Sequence, residues 1–512
     1  MPQRTLVIGL DGCSWNVLEP LLATGELPHL SRLCAEGAQG VLESTIPFYT
    51  GPAWASYATG SSPARHGIYD FMMLRPDGRL SVARQSDLRA ATYYQQLGRE
   101  GRRSVLVNLP IDQDGCDGAV IVNSWLTVDD ERRLMPAELR RRYSTVLDSY
   151  VNYPTTFHAP LAEHLEDLCT IESRRFDLAY ELLLGEEWDH FFVLFSSTDW
   201  LAHAAAGAFL EGDPEARAAY LALYKLLDDR IGRLVRAAPD ALVVVLSDHG
   251  QCHERYALNV NAVLRGLGLV TLRGEDIGGR AVRVPPWLRR LHVDGPLRPA
   301  TTALRKSLRS HLDVELVTPR RAVEVDRLRS RAFTPTVASY AVYGDLDEGE
   351  TAQVKQALSG VRLPDGSPAV TGVWTHAELY GRPSPDGGPT LLFAPAVGVR
   401  PSTTVDLPVV QPVSGVGRGA HQRDGIVILQ GPEVLPGVLG RVSLYDIAPT
   451  LAWAMGSGVP EGCDGRVLYE AFEKAAAARQ VHYVPEDLVA PGAEVDEDDD
   501  AVSERLKALG YI

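Results

Sequence analysis

The sequence predicts an α/β fold with a mostly parallel central sheet sandwiched by helices and a small inserted cap region. Three observations carry that expectation. Runs that are apolar throughout recur at residues 6–10, 104–107, 119–122, 191–195 and 242–246, as suits strands covered on both faces. Amphipathic helical patterns lie between the runs. Several runs end in metal-ligand residue types, where open α/β sheets gather their ligands.

The first strand, residues 6–10, closes on Asp11. Residues 163–184 form a helix with one apolar face. A second helix begins at Asp213-Pro214, with Asp as cap and Pro in the first turn. Leu223, Leu227, Ile231 and Leu234 then follow at four-four-three spacing, one face for packing on a sheet. From about residue 270 the texture changes. Arg280, Arg283, Arg289, Arg290, Arg298, Arg305, Lys306, Arg309, Arg320 and Arg321 crowd a proline-containing stretch. It reads as a solvated insertion, with an anion-gathering cap as the functional alternative. Strand texture returns at 338–342 and 390–393. The acidic run 494–500 is a tether, 502–509 form a short amphipathic helix, and 503–512 are expected to dock on the body or a neighbouring subunit. The expected organisation is a catalytic domain over 1–265 and 331–470, an insertion over 266–330, and an extension over 471–512.

With 512 residues and 45% apolar content, the chain buries a large core without staples. Its 50 basic and 66 acidic residues, net −16, argue against nucleic acid polymers and anionic membranes as partners. Six scattered cysteines, none in a Cys-x-x-Cys pair, suit reduced thiols. The leading apolar run is too short for a signal peptide, and no stretch has the length to span a bilayer. A cytoplasmic location is expected.

Asp11 follows the first run. Thr50 stands in Phe48-Tyr49-Thr50-Gly51-Pro52-Ala53-Trp54, where Pro52 suits a first helical turn. That puts Thr50 at a helix N-terminus, whose free N–H groups favour an anion. Asp199 and His203 are four apart, on one helical face. Asp248 and His249 follow the run 242–246, and Gly250 permits a bend there. His421 sits in a glycine-containing loop, Gly419-Ala420-His421-Gln422. Three Asp, three His and one hydroxyl make a set of oxygen and nitrogen donors. Two zinc-like ions with three protein ligands each keep positions open for substrate. Metal coordination also activates an otherwise poor threonine nucleophile.

Thr50-x-Pro52-x-x-x-Ser56-x-x-Thr59-Gly60-x-x-Pro63-x-x-His66-Gly67-Ile68 resembles the core phrase of the alkaline phosphatase superfamily. The type I phosphodiesterase and nucleotide pyrophosphatase branch is the most similar. Asp11-Gly12, Thr198-Asp199-x-x-x-His203, Ser247-Asp248-His249-Gly250, Gly419-x-His421, Tyr445-Asp446-Ile447-Ala448-Pro449-Thr450 and Asp464-Gly465-Arg466 support it, over residue 5 to about 470. The resemblance implies one metal on Asp199, His203 and His421, and a second on Asp11, Asp248 and His249. It implies zinc, with manganese as the alternative, and a covalent phosphothreonine at Thr50. It gives His66 a structural role.

Nucleotide pyrophosphatases carry Asn directly after the Pro, as a donor to a phosphate oxygen. Here Ala53 takes that place, followed by Trp54. Asn108, Asn123 and the insertion's arginines are the substitutes considered, and Trp54 is a candidate to stack on a substrate ring. The expected activity is hydrolysis of a phosphodiester or pyrophosphate bond in a nucleotide-like or small organic phosphate. A phosphomonoesterase acting on a specific metabolite is the alternative, and a non-catalytic metal-dependent binding protein the remote one.

Overall fold

The computed structural model describes residues 3–157, 159–273, 324–413, 417–485 and 499–508. The arginine-rich stretch from Arg280 to Arg321, residues 494–498 of the acidic run, and residues 509–512 lie outside these.

Nine strands form the main sheet: β1 (Thr5–Leu10), β2 (Ala38–Glu43), β3 (Ser104–Val107), β4 (Ala119–Val122), β5 (Leu134–Met135), β6 (His190–Phe195), β7 (Leu242–Leu246), β8 (Asp424–Gln430) and β9 (Gly437–Ser443). Their spatial order is β9-β2-β8-β7-β1-β6-β3-β4-β5. The central five, β7 to β4, are mutually parallel. Strands β8 and β5 run against their neighbours. β1, β6 and β7 are buried at every residue, which is why they read as unbroken apolar runs.

Alternation along β1 separates two cores. Leu6, Ile8 and Leu10 join the core formed with the helices Leu161–Gly185, Ser197–Glu211 and Pro214–Ala237. Val7 joins the opposite core, with the helices Thr50–Thr59, Tyr93–Arg99 and Ile447–Ala454. Gly9 is needed on that second face, because a Cβ there would lie 2.8 Å from the Trp54 ring. In the long helix after Asp213, the Asp213 side chain accepts from Ala216 N, with Pro in the first turn. Leu223, Leu227, Ile231 and Leu234 are all fully buried.

Residues 332–395 build a separate antiparallel sheet, in the order Ala332–Phe333, Ala341–Gly344, Leu391–Pro395, Val370–Thr375. The strand expected over 338–342 starts only at Ala341, because Tyr340 takes a left-handed φ of 42°. The terminal helix runs Asp499–Ala508 and packs on the body. Val502 and Leu506 are buried, Arg505 donates to the carbonyls of Trp125 and Thr127, and Asp499 pairs with Arg84.

A buried polar chain ties β1 to β6. Thr5 Oγ1 donates to Met455 Sδ and lies 2.8 Å from His190 Nδ1. Tyr93 Oη sits 2.7 Å from His190 Nε2 and 2.7 Å from Tyr57 Oη. Burial lowers the pKa of His190 to about 3, and that of His66 likewise. Both imidazoles are neutral in the fold yet protonate below about 6.5 once unfolded. Their contribution is therefore intact above 6.5 and lost as pH falls toward 3. Denaturant titrations should show unfolding free energy dropping by up to about 1.4 kcal/mol per pH unit for each. His190→Gln should remove one histidine's share of that slope; an unchanged slope would exclude His190 as a source.

Candidate metal centre

Sheet order explains how residues far apart in sequence meet. β7, β1 and β6 are adjacent and parallel, so their carboxyl ends lie side by side. Asp11 follows β1, Asp248 and His249 follow β7, and the helix bearing Asp199 and His203 follows β6. β2 points the same way, so its following loop delivers Thr50 to the same end as the first residue of the helix Thr50–Thr59. β8 is antiparallel and starts at that end, which brings in His421 just before it.

His421 lies on a strand rather than in the expected loop. Gly419–Gln422 pairs antiparallel with Gly250–His253, with Gln251 opposite His421. The glycines mislead because they serve close packing. A Cβ on Gly419 would sit 2.3 Å from Ala202 O, and one on Gly250 1.9 Å from Asp424 O. Neither has a positive φ, and the bend expected at the end of β7 falls at Asp248 and His249, just before Gly250.

Asp11, Thr50, Asp199, Asp248, His249 and His421 are buried, and His203 is partly so. Ligand-type atoms of Asp11, Asp248 and His249 lie within 4.8 Å of one another, as do those of Asp199, His249 and His421. His203 Nε2 stands 3.2 Å from Asp199 Oδ2 and 3.2 Å from His421 Nε2. His249 Nε2 is 3.4 Å from Asp248 Oδ2 and 3.2 Å from Thr50 Oγ1. The His249 ring donates from Nδ1 to Gly250 O, which leaves the lone pair on Nε2 facing the cluster. The seven residues predicted from sequence thus share one site.

The donor set fits divalent cations. Asp11 Oδ1 and Asp248 Oδ2 are buried with no hydrogen bond. Burial, then repulsion from neighbouring carboxylates, raises the pKa of Asp11; burial also raises that of Asp248. For Asp199, burial works upward, but His203 and His421 hold the carboxyl well below its usual range. Burial depresses His249 and His421 to about 4, so both rings are neutral and free to ligate. Buried carboxylates crowded beside neutral imidazoles are balanced when a cation takes their free lone pairs.

Two contributors escaped the sequence reading. Gln251 is buried and donates from Nε2 to Asp199 Oδ1 at 3.0 Å. Its signal was faint: it lies two residues beyond His249, and only strand pairing sets it opposite His421. Gly12 takes φ +63°, and its N–H donates to Asp248 Oδ1. A Cβ there would meet Gln251 Nε2 at 2.5 Å and Asp199 Oδ1 at 2.9 Å.

The side chains considered for substrate contact are engaged elsewhere. Trp54 is fully buried, packed edge-on against Tyr57 and Phe192. Asn108 donates to Leu194 O and Ser196 Oγ from a left-handed φ of 65°. Asn123 accepts from Gln113 N and donates to the carbonyls of Gln113 and Arg132, closing a loop. His66 accepts from Ile68 N at Nδ1, so Nε2–H donates to Ser56 Oγ, and Gly67 turns the chain at φ 84°.

The sequence profile of the type I phosphodiesterase/nucleotide pyrophosphatase family matches residues 5–326. The chain belongs to that family. It is a metal-dependent phosphoric ester hydrolase. Solved structures share the fold. Phosphonoacetate hydrolase from Sinorhizobium meliloti 1021, in complex with phosphonoformate, aligns at TM-score 0.56 and 16% identity, over 89% of this chain and 96% of that one. Murine ectonucleotide pyrophosphatase/phosphodiesterase 5 aligns at TM-score 0.50 and 13% identity, over the same shares. No helix among the described residues is long and apolar enough to cross a membrane.

Gly12→Ala forces a side chain between Gln251 and Asp199 and strains a left-handed residue. Divalent metal per chain, measured by elemental mass spectrometry after dialysis, should fall while far-ultraviolet circular dichroism stays native. Full metal retention would show that Gly12 is not needed to seat the ligands.

Proposed function

We propose that this family member cleaves a phosphodiester or pyrophosphate bond in a nucleotide-like or other small organic phosphate, through a covalent phosphothreonine at Thr50. The observation that carries this reading is the position of Thr50. Its hydroxyl is fully buried, opens a helix, and lies 3.2 Å from His249 Nε2 amid six ligand-type side chains. Asp199, His203 and His421 would hold one divalent ion, and Asp11, Asp248 and His249 a second, with zinc the favoured metal and manganese the alternative. Bound there, the ions supply Lewis-acid activation of the hydroxyl and neutralise charge at phosphorus.

The chain's own groups set the course. Thr50 Oγ attacks phosphorus as its proton passes to solvent, and the bond to the leaving oxygen breaks, that oxygen taking the electron pair. Free N–H groups in the first turn of the helix Thr50–Thr59 stabilise charge on the non-bridging oxygens. Water then attacks the same phosphorus and returns the Thr50 hydroxyl. Gln251 keeps Asp199 oriented throughout. A related fold, the murine protein solved as an inactive threonine-to-alanine variant with AMP, is consistent with this reading.

The phosphomonoesterase alternative draws on one observation, Ala53, which offers no amide donor beside Thr50. The net charge of −16 favours a small substrate over a nucleic acid polymer. Six cysteines, none disulfide-bonded, favour the cytoplasm.

Thr50→Ala should lose turnover by roughly three orders of magnitude or more while binding metal normally, and Thr50→Ser should keep a measurable share. Assays would use a chromogenic phosphodiester and its matching monoester on zinc- or manganese-loaded protein. Unchanged turnover in Thr50→Ala removes the nucleophile assignment. A wild-type preference for the monoester selects the phosphomonoesterase.

A further inference from the structure

His249 and His421 are ligand candidates of the same kind, held in different ways. His249 Nδ1 donates to Gly250 O, which fixes the ring and turns Nε2 to the cluster. A metal-ligating imidazole is ordinarily oriented through such a bond on its second nitrogen. His421 is not. Its Nε2 faces the cluster, 3.4 Å from Asp199 Oδ1 and 3.2 Å from His203 Nε2, while Nδ1 is buried with no hydrogen bond among the described residues. Packing has to set the plane of this ring.

Two rings lie against it. That of His249 is stacked on His421, with 3.8 Å between centroids and 21° between planes. That of Tyr49 lies at 4.4 Å and 37°. Turning the imidazole about its Cβ–Cγ bond drives its edges into these neighbours, which a close-packed interior resists. His249 belongs to the ligand set, but Tyr49 does not. The Tyr49 backbone is the cap that precedes the helix Thr50–Thr59, so the same residue starts the helix of Thr50 and packs its ring on a ligand.

Tyr49 is itself braced. Phe71 and Tyr340 pack edge-on to it, with centroids 6.4 and 5.9 Å away and planes at 82° in both cases. Asp70 ties the two braces together. Its carboxylate accepts from the hydroxyls of Thr336 and Ser339, just before Tyr340, and from Met72 N, just after Phe71. Tyr49, Asp70, Phe71 and Tyr340 are all buried. A ring locked by two edge contacts is a firm surface for a third ring to rest on.

Resting on the assignment of Asp199, His203 and His421 to one divalent ion, we propose that Tyr49 is a positioning residue for His421. The face of its ring holds the imidazole plane, so that Nε2 stays turned toward that ion. The ring supplies this support, and the hydroxyl does not. Tight binding of the ion at Asp199 therefore requires an aromatic side chain at position 49, whereas binding at Asp11, Asp248 and His249 does not.

The test titrates chelator-treated full-length protein with Co2+, followed by visible absorption and by calorimetry. His203→Ala identifies the ion that belongs to the Asp199 site. Tyr49→Met fills the space without a ring. It should weaken that ion by about tenfold or more and alter its visible band, with the other ion within about twofold of wild type. Tyr49→Phe should leave both ions within about twofold. Phe472→Leu, in the opposite core, controls for lost packing and should also leave both in place. If Tyr49→Met does not fold, Tyr340→Leu carries the test, because it leaves the Tyr49 ring present but unbraced; the same ion should weaken, by a smaller factor. The role of Tyr49 is overturned by unchanged affinity for that ion, by equal weakening of both ions, or by a loss in Tyr49→Phe or Phe472→Leu as large as in Tyr49→Met. If His203→Ala alters neither ion, the assignment of the site falls and the proposal with it. None of these readouts depends on turnover, so they stand apart from the assignment of Thr50 as nucleophile.

Discussion

Three carboxylates, Asp11, Asp199 and Asp248, are buried against one another at the carboxyl ends of neighbouring parallel strands. Left to themselves these charges repel in a medium with little water to screen them. Much of the surrounding structure is arranged around that repulsion. Gly12 N and Gln251 Nε2 each donate to one carboxylate. His203 and His421 converge on Asp199. His249, held by its Nδ1 bond to Gly250 O, offers Nε2 to the remaining pair and to Thr50. A centre built this way is incomplete without cations, and its geometry is that of a site made to receive them.

The scaffold achieves this with small residues more than with large ones. Gly12, Gly250 and Gly419 each allow a backbone or ligand approach that a single methyl group would block. The strand Gly419–Gln422 sits close on the helix Ser197–Glu211, which sets His421 beside His203. Rigid elements on both sides, a parallel sheet below and a packed helix above, hold ligand atoms more tightly than loops would. The small antiparallel sheets then flank the site, where Tyr340 packs on Tyr49 and the Tyr49 ring lies against that of His421.

Trp54, Asn108 and Asn123 looked suitable in the sequence because each is polar or aromatic and near a motif. Their surroundings assign them to packing, a strand-end bridge and a loop closure.

Local chemistry made the ligands legible: each lies at the end of an apolar run or on one helical turn, patterns that depend on near neighbours in sequence. Thr50, the proposed nucleophile, was legible for the same reason, from the Thr-x-Pro start of a helix. The α/β class followed from runs without alternation, since only strands covered on both faces have them. What the sequence by itself could not express was contact between distant segments. Strand order made β7, β1 and β6 adjacent, pairing turned an apparent glycine-rich loop into the strand that holds His421, and packing made Gly250 a point of close approach to Asp424 O. These outcomes depend on which surfaces meet in three dimensions, and no local pattern encodes that.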